Sequence, residues 1–184
     1  HCNRGHSTAA DDRELQVKRT VVMSGLRNPW DLAFTPDGAM LFTEKCRGLS
    51  VRTPDGTVRR LFGTTGAALE ADDFFCQGQS GMLGVALDPA FVDNRYAYVY
   101  MASNIGKAAT NRVVRLTVDK TYTGVANRKD IVTDIPFKQS FTWAGSAGAH
   151  SGGRIRFSPY DGYLYVTTGD NHNGIEQQVL SFQF

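Results

Sequence analysis

Three stretches of this chain repeat one arrangement. WDLAFTPDGAMLFTE (30–44), LGVALDPAFVDNRYAYVYMA (83–102) and GRIRFSPYDGYLYVTTG (153–169) each run from an apolar segment through a proline and an Asp-, Asn- or Gly-containing turn into a second apolar segment. Such turns reverse the chain and let the flanking runs pair as antiparallel hairpins. The prolines, Pro36, Pro89 and Pro159, lie 53 and 70 positions apart, a spacing that suits repeated units with loops of unequal length. Behind the first hairpin, SVRTPDGTVRRLF (50–62) adds a third and fourth strand around another PDG turn, with Val51, Val58 and Leu61 expected to face a neighbouring sheet. NRVVRLTVDKTYTGVANRKDIVTDI (111–135) does the same for the second unit, placing Val113, Arg115 and Thr117 on one face and Val114, Leu116 and Val118 on the other. No window carries a persuasive 3.6-residue period, so the chain reads as all-β.

Four strands per unit and three units begun predict a β-propeller, whose sheets bury both faces against their neighbours; a sandwich is the alternative. Residues 1–16 read as an N-terminal tail, and 17–184 as a partial propeller domain holding roughly the first two to three blades. Such a chain cannot close a ring alone, so the missing part is expected in the same or another chain. With 41% hydrophobic and 21% charged residues, 19 Gly and only 6 Pro, disordered, collagen-like and coiled-coil chains are excluded. Twenty basic against 18 acidic residues give a formal charge of +2, too little to favour nucleic acid. No run approaches the roughly 20 apolar residues of a membrane helix.

No GxGxxG, Walker A, HExxH or GxSxG pattern is present, which argues against the nucleotide and hydrolase chemistries those motifs carry. Two glycine-rich pieces, GQSGMLG (78–84) and GSAGAHSGGR (145–154), precede strands at equivalent places. The second gathers His150, Ser151 and Arg154. Imidazole changes charge near neutral pH and can accept a substrate proton; a hydrogen-bonded loop histidine is the alternative. Gln79 sits at the corresponding place in the first, able to orient a carbonyl or hydroxyl or merely to stabilise a turn. If the units are blades, the two loops converge near the ring axis. Asp170, Asn171, His172 and Asn173 carry oxygen ligands suited to calcium but read first as an Asx-rich turn. Arg59, Arg60, Arg112 and Arg115 are expected on solvated faces, and Trp30 and Trp143 as packing residues or loop anchors. Cys46 and Cys76 either pair or remain reduced in the core.

GLRNPWDLAFTPDGAMLFTE, GQSGMLGVALDPAF and AHSGGRIRFSPYDGYLYVTTGD together resemble the first half of the glucose/sorbosone dehydrogenase family, soluble quinoproteins that use pyrroloquinoline quinone (PQQ). The resemblance runs from about Val17 to Asn173. It implies a six-bladed propeller with PQQ and calcium at its axis, in a periplasmic or extracellular protein that oxidises an aldose or related sugar and passes electrons to an external acceptor such as a cytochrome. By the same resemblance, His150 is the general base and also borders the cofactor, while Gln79 contacts PQQ and substrate. The residues that ligate the metal are not identified. Family members of the soluble glucose dehydrogenase type have Asp before the histidine where this chain has Ala149, which predicts a His150 without a carboxylate from that place and a relaxed substrate choice. The alternatives are calcium-dependent hydrolysis of a sugar lactone and a non-enzymatic propeller that binds glycans or proteins.

Overall fold

The computed structural model describes residues 17–106, 108–139 and 146–171. The tail 1–16, Trp143, His172, Asn173 and the C-terminal IEQQVLSFQF all lie outside them. The described chain is all-β apart from a single helical turn. A first sheet takes β1 (Pro29–Phe34), β2 (Met40–Glu44), β3 (Gly48–Arg52) and β4 (Val58–Gly63) in antiparallel order and adds the two-residue β5 (Leu69–Glu70) parallel to β4. A second orders β6 (Met82–Leu87), β7 (Tyr96–Ser103), β8 (Thr110–Val118) and β9 (Val125–Ile135). A third consists of the hairpin β10 (Ile155–Phe157) and β11 (Leu164–Val166). The sequence repeats therefore correspond to the β1–β2, β6–β7 and β10–β11 hairpins.

Their turns follow from local chemistry. Thr35, before Pro36, donates its hydroxyl to Asp37 Oδ1 and takes the Ala39 amide on the same oxygen at 2.9 Å, while Gly38, at φ +85°, closes the turn. Thr53 repeats the hydroxyl contact with Asp55 between β3 and β4. In the second unit the connection is longer: Asp88 accepts from the Ala90 amide and Asn94, and α1 (Phe91–Asn94) ends at Arg95 in the left-handed region at φ +60°. These side chains satisfy backbone donors that a bare reversal would leave unpaired.

The sheets stack through their faces. Leu41, Leu49, Val51 and Leu61 of the first meet Val85, Val99, Met101, Val114, Leu116 and Val118 of the second in one fully buried cluster. The opposite face of the second sheet, through Leu83, Tyr100 and Val113, packs on Ile155, with Phe157, Leu164 and Val166 half-buried around it. β8 thus buries alternate residues in two different cores, as its two-residue side-chain period requires. Strand β6 lies against β1 of the first sheet and β10 of the third. Thr43 donates to the Leu83 carbonyl at 2.6 Å, and Gly84 lies where a Cβ would stand 2.2 Å from the Gly153 carbonyl oxygen.

Four placements differ from the sequence reading. Val58 is 49% exposed because it sits at the start of β4, beyond the reach of the second sheet. Arg112 is not solvated: it is buried and paired to Asp130, which also accepts from Arg128, and Arg128 in turn holds Asp73 through two nitrogens. Arg115 is half-buried with its guanidinium 4.0 Å from the centre of the Tyr96 ring. Arg60 likewise spends its charge on the Thr64 and Thr65 carbonyls.

Candidate active site

The two glycine-rich loops meet, as their equivalent positions predict. At Gly78, φ +57°, a Cβ would stand 2.2 Å from the Ala147 carbonyl oxygen; at Gly148, φ +72°, it would stand 2.2 Å from that of Gln77. Each loop's backbone approaches the other this closely because the residue facing it, Gly78 or Gly148, carries no Cβ. Gly148 also donates its amide to the Lys138 carbonyl at 2.9 Å, and Ser80 holds the Gln77 carbonyl through its hydroxyl at 2.8 Å. A floor of main chain results, with Gln79 and His150 exposed on it.

His150 adopts φ +48° and donates its backbone amide to Gln79 Oε1 at 2.9 Å. Its ring meets a carboxylate after all: Nδ1 lies 2.7 Å from Asp170 Oδ1. Ala149 is buried in the loop, and the acidic partner comes instead from the segment after β11, twenty residues along the chain. Asp170 is therefore more than a turn residue. Gly169 makes this possible, since a Cβ there would fall 1.8 Å from the His150 carbonyl oxygen. On the far side, buried Tyr100 donates to the Ser151 carbonyl at 2.8 Å, and burial pushes its phenol well above the ordinary value, keeping it a donor.

Because a carboxylate only accepts, the Nδ1 contact selects the tautomer with its proton on Nδ1 and the lone pair on Nε2. Asp170, His150 and Gln79 form a chain in which a carboxylate orients an imidazole and an amide fixes the backbone that carries it. This arrangement can take a proton from a hydroxyl and hold the resulting charge beside a carboxylate. Gln79 Oε1 is committed to the His150 amide, so what the side chain has left to offer is its amide N–H donors. Among the described residues no group of three or more His, Cys, Asp or Glu side chains is placed to hold a metal ion.

A second charged cluster, which the sequence reading did not anticipate, holds the strands beneath the site. The Asp31 side chain, 4% exposed, accepts from the Val85 amide at 3.0 Å and from both terminal nitrogens of Arg156 at 2.8 Å, and pairs with Arg154. One carboxylate thereby joins β1, β6 and β10. Burial pushes Asp31 upward, but the hydrogen bonds from Arg156 and the Val85 amide outweigh it and hold the carboxyl below its ordinary range. Arg154 of the glycine-rich motif also lies 4.4 Å over the Trp30 ring, which makes Trp30 a packing residue of this junction. No local pattern announces the pair: Asp31 lies five positions before Pro36, and Arg156 three before Pro159.

Cys46, in the β2–β3 turn, is disulfide-bonded to Cys76, in the loop entering β6.

The model of the Glucose / Sorbosone dehydrogenase family matches residues 26–183. Quinoprotein glucose dehydrogenase B of Acinetobacter calcoaceticus is 31% identical over 168 residues, covering 89% of this chain and 33% of its own length. Aldose sugar dehydrogenase YliI of Escherichia coli is 28% identical over 171 residues, 89% of this chain and 41% of its own. The PQQ-bound aldose sugar dehydrogenase of Streptomyces coelicolor superposes with a TM-score of 0.70 at 27% identity, over 89% of this chain and 44% of that one. The chain spans about a third to two-fifths of the length of the curated relatives it matches. A family match over most of the chain, together with the stacked sheets that superpose on a sugar dehydrogenase, shows that this chain belongs to the glucose/sorbosone dehydrogenase family.

Proposed function

We propose that the protein containing this chain is a PQQ-dependent sugar dehydrogenase built on a six-bladed propeller, and that His150 is its general base. The observation that carries this reading is the Asp170–His150–Gln79 chain on a glycine floor. The two loops close directly on each other at Gly78 and Gly148, where a Cβ would strike the opposite backbone, and Gln79 and His150 are both exposed beside that junction, a surface we read as taking one face of a planar ligand. Bound PQQ would supply the two-electron acceptor that takes hydride from the sugar carbon. His150 Nε2 receives the proton of the anomeric hydroxyl, Asp170 steadies the imidazolium through Nδ1, and the Gln79 amide nitrogen donates to an oxygen of ligand or sugar.

The anchors for the PQQ carboxylates and the ligands of calcium belong, on this reading, to the remainder of the propeller. The described residues offer no metal-binding set. The disulfide supports an oxidising compartment, periplasmic or extracellular. Electrons leave to an external acceptor such as a cytochrome. The test is dye reduction by the full-length protein with PQQ, calcium and a panel of aldoses. Sugar-dependent reduction that falls at least a thousandfold in His150→Ala is expected; a variant retaining half the activity rejects His150 as base.

A further inference from the structure

Gln79 is exposed, follows a glycine at φ +57° and precedes another, Gly81, at φ +150°. Such a loop has many conformations open to it, and ordering it carries an entropic cost at each residue. Its side-chain oxygen nevertheless meets an amide 71 residues away.

The loop is held at both ends by one short turn. Cys76 is bonded to Cys46. Lys45, the residue before it, donates its ammonium to the Gly78 carbonyl. The Lys45 carbonyl in turn accepts the Met82 amide at 2.8 Å, and a Cβ at Gly81 would stand 2.2 Å from that same carbonyl oxygen. Cys76, Gly78 and Gly81 are thus tied to Lys45–Cys46, and Gln79 lies between them. Cys46 is exposed rather than buried in either core. The staple therefore sits at the surface where Gln79 and His150 stand, away from the apolar contacts that hold the sheets together.

We propose that the Lys45–Cys46 turn and its disulfide to Cys76 are positioning elements for Gln79 and, through Gln79, for the His150 backbone. This rests on the reading of that pair as the sugar-oxidising centre. A displacement of about 1 Å at a reacting group costs up to roughly a hundredfold in rate, so loosening one loop has a large lever on turnover.

The experiment uses the full-length protein with both cysteines changed together, Cys46→Ser and Cys76→Ser, and separately Lys45→Met, which cuts only the Gly78 contact. Hydrogen exchange of the His150 amide is expected to accelerate about tenfold or more in both, while amides of β7 and β8 stay unchanged. In a Gln79→Ala background neither change accelerates it further. The same cycle read as kcat/KM gives about a tenfold loss in the wild-type background and none beyond that of Gln79→Ala alone. Unchanged exchange at His150 on removing the staple overturns the proposal, as does an equal loss of kcat/KM in both backgrounds, the pattern of a purely structural bond. Should the cysteine variant not fold, Lys45→Met alone decides. If the protein oxidises no sugar, the exchange measurement still judges the positioning, so the two readings fail separately.

Discussion

Removing the Asp31 carboxylate tests whether one buried acid ties three sheets together. Asp31→Ala strips the Val85 amide of its acceptor in a fully buried strand, and an unpaired buried donor costs about 1–3 kcal/mol. The lost ion pairs add less, because Arg154 and Arg156 are 47% and 50% exposed and screened pairs contribute below about 1 kcal/mol each. Together they predict a loss of about 3 kcal/mol in equilibrium urea unfolding of the full-length protein at pH 7. Asp31→Asn keeps an oxygen for Val85 and loses only the charge, so it should cost about 1 kcal/mol. The carboxyl is held below its ordinary value of 3.8 in the folded state. Its charge therefore stabilises the fold above that value, and the benefit fades as pH falls through the lower folded value. The gap between wild type and Asp31→Asn must close on acidification below about pH 4. An Asp31→Ala cost under about 0.5 kcal/mol, or a gap that widens in acid, would refute the argument.

Other substitutions probe the site and the second sheet. Asp170→Asn removes a charge-assisted hydrogen bond worth about 1.5–3 kcal/mol; with both partners more than a third exposed, the low end applies, and kcat for sugar oxidation should fall about tenfold with little change in KM. Gly169→Ala forces a Cβ onto the His150 carbonyl, so turnover should drop at least a hundredfold while the far-ultraviolet circular dichroism spectrum is retained. Hydrogen bonding from Arg128 holds Asp73 at about 2, which makes its contribution to stability constant at neutral pH and lost between about pH 4 and pH 2. Unfolding midpoints of Asp73→Asn and wild type, measured across that interval, should converge toward the acid end.

Local chemistry explains why so much of the fold was legible. The TPDG, DPAFVDN and SPYDG turns carry their own hydrogen-bonding side chains, and alternation along β8 announced two buried faces before any partner was known. Gln79 and His150 were legible because equivalent positions in repeated units occupy equivalent places in space. What the sequence hid were partners chosen over long separations. Arg112 looks like any strand arginine until Asp130 stands beside it, and Val58 obeys the alternation yet lies past the edge of its neighbour. Asp170 was in view as a turn residue, but only the approach of Gly169 to the His150 carbonyl turns its carboxyl onto the ring. Asp31 is separated by 125 positions from Arg156, beyond any local pattern.

The core shared by the first two sheets draws all its residues from Ala33 to Val125. During synthesis that interface is therefore complete in the nascent chain before the His150 loop has been made, and domains emerge and fold from the N-terminal side. The loop carrying His150 is made after Gln79 and the strands that hold it, so the order of translation is also the order in which the residues of the candidate site become available.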